Sequence, residues 1–154
     1  MYFSHTMTKE TAVTCCSQYL NQKIERLQYY WKELSTGMQN DSKSTAGDKH
    51  ETAQAMAQLE QEKLSHQLKE LLDQKQSLLS IEGKSSALHI TSGSLVKTDK
   101  GYFFLCIPLG KIQAGMETLI GLSPKSPLGL RLMGLKAGNS TQVNNTTYKV
   151  LEIS

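Results

Sequence analysis

A chain of 154 residues with 20% charged residues and a formal net charge of +3 is too weakly basic to announce a nucleic-acid or membrane surface. No apolar run approaches the ~18 residues of a membrane-spanning helix, and residues 1–10 lack a basic stretch followed by an apolar one, so no span and no signal peptide is expected. The composition is uneven: residues before Ile81 are rich in Gln, Glu, Lys, Leu and Ala, whereas nine of eleven glycines and all three prolines follow it, which argues for two parts.

From Leu20 the apolar residues Leu20, Ile24, Leu27, Trp31, Leu34 and Met38 recur at spacings of 4, 3, 4, 3 and 4, a heptad seam. With no Pro or Gly before Gly37, this predicts a helix over roughly residues 9–36, about 40 Å long. Tyr29, Tyr30 and Trp31 fit the seam and its rim better than a base-stacking platform. A polar, acid-bearing stretch follows, Asn40 to Glu51, within a tip spanning about residues 38–51. A second helix is predicted from near Asp48 to about Ser80. Ala57, Leu64, Leu71 and Leu78 fall seven apart there, Leu68, Leu72 and Leu79 widen the stripe, and Ala53, Ala55 and Ala57 permit close approach near the tip. A connection of about ten residues makes the two helices sequence neighbours, packed as an antiparallel coiled-coil hairpin over residues 9–80.

Residues 81–87 read as a linker and residues 88–154 as a small antiparallel β-domain with one short helix, so the fold class is α+β. Strands are predicted within 88–96, at 102–109 and at 116–122, with turns at 97–101 and between Gly110 and Gly115. The aromatic-rich run from Tyr102 should be central. Ser126 is placed to cap a short helix over 128–133, with Pro127 at its first position and Gly134 closing it. Two last strands, about 140–144 and 146–153, should pair across Asn144-Asn145.

The residues able to carry chemistry are few. Asp48 and Glu51, three apart, suit a capping box and the positive end of a helix dipole. They also suit a divalent cation: two carboxylates on one face of a first turn can share Mg²⁺, although an octahedral ion wants about six oxygens, so a partner would have to supply the rest. Cys15, Cys16 and Cys106 include no C-x-x-C and no His-Asp arrangement, and are expected to be reduced packing residues of a cytoplasmic protein. The four histidines are dispersed, and there is no P-loop, dinucleotide fingerprint or zinc spacing, so a free-standing enzyme is not expected.

Two motifs in this order resemble the Gre family of bacterial transcript-cleavage factors. Gly47-Asp48-Lys49-His50-Glu51-Thr52-Ala53 is similar to the family's tip motif Gly-Asp-x-x-Glu-Asn-Ala, and Ser126-Pro127-Leu128-Gly129 with Leu132, Gly134 and Gly138 is similar to its Ser-Pro helix and the glycine beyond. The resemblance implies an FKBP-like C-terminal domain that binds RNA polymerase at the rim of its secondary channel, through the segment holding Ser126, Pro127, Leu128 and Gly129. It implies a hairpin passing down the channel as a monomer, with Asp48 and Glu51 helping to hold the polymerase's second Mg²⁺. The polymerase, not the factor, then hydrolyses the RNA near its backtracked 3′ end. No cofactor of the chain's own is implied. Thr52 stands where the family has Asn, and Ala55 where an aromatic is usual. These departures bear on cleavage more than on polymerase binding. A non-cleaving occupant of the channel is therefore a second reading, and a coiled-coil or peptide-binding adaptor a third, from another class.

Overall fold

The computed structural model describes residues 7–41, 47–81 and 88–154. Its elements run α1 (Lys9–Asp41), α2 (Gly47–Ser80), β1 (Leu95–Thr98), β2 (Gly101–Leu105), β3 (Gly110–Ala114), β4 (Glu117–Leu122), α3 (Pro127–Leu132), β5 (Ser140–Val143) and β6 (Thr146–Ile153). Two long helices followed by a sheet with one short helix is the α+β arrangement expected. Of the predicted linker over 81–87, residues 82–87 lie outside the described residues. The chain divides into two compact units, Leu20–Gln74 and a second that joins the start of α1 and the end of α2 to the sheet.

In the first unit α1 and α2 pair antiparallel. Leu20, Ile24 and Leu64 are buried, and the less exposed positions of α2 (Ala57, Gln61, Leu64, Leu68, Leu71) alternate at spacings of 4 and 3, the seam of a coiled coil. A polar member of that seam fixes the register. The Gln61 side-chain amide donates to the Ser35 hydroxyl at 2.7 Å and to the Trp31 carbonyl oxygen at 3.4 Å. A donor that must find its acceptor holds one alignment where leucines alone tolerate several. Helix α1 continues through Gly37, beyond its predicted end. An exposed helical glycine costs only about 1 kcal/mol relative to alanine, too little to stop a helix held by a seam.

In the second unit the six strands lie in the order β3-β4-β2-β1-β6-β5, so the aromatic strand β2 is internal as expected. All pairings are antiparallel except β2 with β4, which is parallel. This corrects the purely antiparallel expectation. The segment between Gly110 and Gly115, read as a turn, is strand β3; it pairs with β4 and leaves β4 free to lie beside β2. The first strand also begins later than predicted, because the chain before it turns at Thr91–Ser94, where the Thr91 N–H donates to the Ser94 hydroxyl at 2.9 Å.

The sheet is covered on both faces. One face contributes Val96, Leu105 and Val150 to a core with Ile90 and Leu132, against which Leu122, Leu128 and Leu135 pack. The opposite face carries Leu95, Tyr102, Phe104 and Leu119. Met7, Ala12, Val13, Cys16 and Leu78 of the same unit are also buried, and the Met7 N–H donates to the Tyr102 hydroxyl at 3.3 Å. The β5–β6 hairpin turns on Asn144 and Asn145 with φ of 50° and 65°, the left-handed pair that a two-residue hairpin needs and that Asn tolerates.

Candidate functional site

Helix α2 begins at Gly47, which places Asp48 and Glu51 in its first turns. The two positions stay three apart on one face, near the positive end of the helix dipole. Glu51 is exposed; the side chain of Asp48 and the tip loop 42–46 lie outside the described residues. The bonds of Gln61 to Ser35 and Trp31 set the helices antiparallel, and Asp48 and Glu51 lie on α2 beyond that pairing, toward the hairpin tip.

Among the described residues no three His, Cys, Asp or Glu side chains gather as a metal site. The pair at 48 and 51 fits a hard divalent cation in donor type, since Mg²⁺ takes carboxylate oxygen. It supplies fewer ligands than the ion needs, so any metal held there has to be shared with another molecule.

The second predicted motif has a structural account for each residue. Ser126 is extended (φ −69°, ψ 161°); its Oγ accepts the Gly129 N–H at 3.1 Å and donates to the Ser123 carbonyl oxygen at 2.6 Å. Pro127 occupies the first helical position, where a missing N–H costs nothing. Leu128 packs on the core. Gly129 is buried, and a Cβ there would collide with the Ser123 carbonyl oxygen and approach Ser126 Oγ at 2.9 Å. What α3 and its C-cap present to solvent is Pro127, Leu130 (65% exposed), Arg131 and Met133. Of these the sequence reading named Pro127; the other three lie one turn on from the cap.

The thiols sit within the sheet unit. Cys16 is fully buried and hydrogen-bonds to Cys106; that bond and burial push the Cys16 thiol up, while Cys106 is lowered by the same bond. Burial pushes Cys15 up as well, with the neighbouring Cys16 adding to it. All three are free thiols, Cys16 buried and Cys15 and Cys106 half-buried. Among the described residues no helix is long and apolar enough to cross a membrane.

No family model matches the chain, and no curated protein matches it. Among solved structures it is similar to the structure of the transcription factor Gfh1, with 19% identity over 90% of this chain and 93% of that chain, at a TM-score of 0.34.

Proposed function

We propose that this chain is a Gre-type factor that binds bacterial RNA polymerase, sends its helical hairpin into the secondary channel and stimulates the polymerase's own cleavage of backtracked RNA. One observation carries the reading: two carboxylates three apart in the first turns of α2, at its tip end, a pair too small by itself to complete the shell of a divalent metal. Such a pair can hold a divalent metal only where another protein completes the shell.

In this mechanism Asp48 and Glu51 present oxygens at the end of the hairpin. A bound Mg²⁺ there supplies the polarisation that turns water into a phosphodiester nucleophile. Asp48 and Glu51 would hold the ion together with acids of the polymerase, and a carboxylate oxygen of the pair would accept a hydrogen bond from the attacking water. The Gln61 contact with Ser35 and Trp31 fixes the register that decides how far the acids reach. Around α3, Ser126 and Gly129 shape the helix, and Leu130, Arg131 and Met133 form the face that meets the polymerase.

The test is binding to core polymerase by native gel, for wild type, Leu130→Ser and the Asp48→Ala/Glu51→Ala pair. Leu130→Ser should weaken the complex, and the acid pair should leave it intact. A wild type that does not bind removes the reading. The second reading, a factor that occupies the channel without promoting cleavage, is favoured by Thr52 and Ala55 standing where the Gre pattern has Asn and an aromatic. It predicts binding and altered elongation without RNA shortening.

A further inference from the structure

Two of the three cysteines meet, and nothing in the proposed function uses them. Cys16 lies on α1, and Cys106 lies one residue past the end of β2, both within the sheet unit. Their thiols are hydrogen-bonded to each other. Cys106 is held in place: its backbone N–H donates to the Leu122 carbonyl oxygen at 3.0 Å, and its thiol donates to the Ile107 carbonyl oxygen at 3.8 Å. With the Cys106 proton so directed, Cys16 is the donor of the thiol–thiol bond, and its S–H points at the sulfur of Cys106.

The two thiols differ in the way that a sensing pair requires. Cys106 is half-buried, so a small oxidant reaches it from solvent. The bond from Cys16 holds its thiol below the ordinary cysteine value, which favours the reactive thiolate. Cys16 is fully buried and meets an oxidant only by way of Cys106. Cys15 is no competitor. Neighbouring residues of a helix point about 100° apart, and Cys15 shares a cavity with Ala114, Gly115 and Met116 instead.

We infer that Cys16 and Cys106 are a redox-sensing pair: free thiols at rest, converted by a hydroperoxide to a disulfide that fastens α1 to the end of β2. The Cys106 thiolate attacks one peroxide oxygen, the O–O bond breaks, and the departing hydroxide takes up a proton as water. Cys106 is then a sulfenic acid. The Cys16 sulfur attacks the Cys106 sulfur, the S–O bond breaks, and the departing hydroxide leaves as water with the Cys16 proton. The two thiols are oxidised together by two electrons, and one hydrogen peroxide is reduced to two waters. Thiol reduction restores the resting form. The linked chain has fewer unfolded conformations open to it, so the oxidised sheet unit resists unfolding. None of this depends on polymerase binding, and its readout involves no polymerase.

The test treats the folded full chain with hydrogen peroxide, unfolds it in iodoacetamide to cap the remaining thiols, and maps its peptides by mass spectrometry without reduction. Wild type, Cys15→Ser and Cys106→Ser are compared, and circular dichroism before and after treatment confirms that each stays folded. Wild type should yield Cys16 joined to Cys106 within one chain, lighter by two hydrogens, with Cys15 alkylated. Cys15→Ser should keep the link, Cys106→Ser should lose it, and dithiothreitol should reverse it. A link through Cys15 or between chains overturns the inference. So does Cys106 oxidised to the sulfinic or sulfonic acid without a link, and so do three alkylated thiols after treatment.

Discussion

Replacing Gly129 by alanine adds one methyl group at the tightest point of the sheet unit. That Cβ would collide with the Ser123 carbonyl oxygen, with Ser126 Oγ at 2.9 Å and the Pro124 carbonyl carbon at 3.0 Å. Backbone cannot swing aside as a side chain does, so the cost belongs at the upper end of overpacking, about 3 kcal/mol. Alanine's better helix propensity returns about 1 kcal/mol, leaving a net loss of about 2 kcal/mol. For a unit of this size that lowers Tm by roughly 10 °C. Scanning calorimetry is the suitable assay, because the single tryptophan, Trp31, lies in the other unit and does not report on the sheet. The sign is the discriminating feature: without the collision Gly129→Ala would stabilise the helix. An unchanged or raised Tm refutes the view that Ser126-Pro127-Leu128-Gly129 is there to build α3.

Gly37 gives the converse case, since a Cβ there meets nothing within 4 Å; Gly37→Ala should stabilise the hairpin by up to about 1 kcal/mol in urea unfolding followed by circular dichroism at 222 nm (the standard helix band, ~222 nm). Asp99 Oδ1 accepts the Lys149 N–H at 2.8 Å, and that bond, with Lys100 adding, holds its carboxyl below the ordinary carboxylate value. Its contribution is therefore complete above the unfolded carboxylate pKa of about 3.9 and is lost as pH falls through the lower folded value. The stability gap between wild type and Asp99→Ala should shrink steadily on acidification. Cys16, fully buried and with its thiol pushed up, should be the last of the three cysteines to react with iodoacetamide, as read by mass spectrometry of the native protein.

Much of this architecture is legible in the sequence where local chemistry and tertiary packing agree. The 4-3 spacing from Leu20 to Leu34 and the leucines of α2 specify the helices, because a seam repeats the same demand every turn. Ser126-Pro127 marks the start of α3 because cap and first turn are satisfied within four residues. Asn144-Asn145 marks a hairpin because few residues accept its backbone angles. Strand β3 was hidden between two glycines, with only Ile112 and Ala114 buried, as befits the edge of a sheet. The parallel contact of β2 with β4 is non-local, and no short-range signal encodes it. At the candidate site the i, i+3 acids could be read from spacing alone. The register of the hairpin could not, since it follows from the bonds of Gln61 to Ser35 and Trp31, a pairing across the two helices. Of the solvent face of α3, only Pro127 belongs to the motif that identifies the helix; Leu130, Arg131 and Met133 carry no such signal.

The most direct measurement is RNA cleavage in a halted, backtracked elongation complex from the cognate organism, with wild type beside Asp48→Ala/Glu51→Ala. Shortened RNA with wild type, and none with a variant that binds polymerase equally well, is the predicted result. RNA that stays full length with wild type, or that shortens equally with both proteins, contradicts the assignment of the two acids to the polymerase's metal.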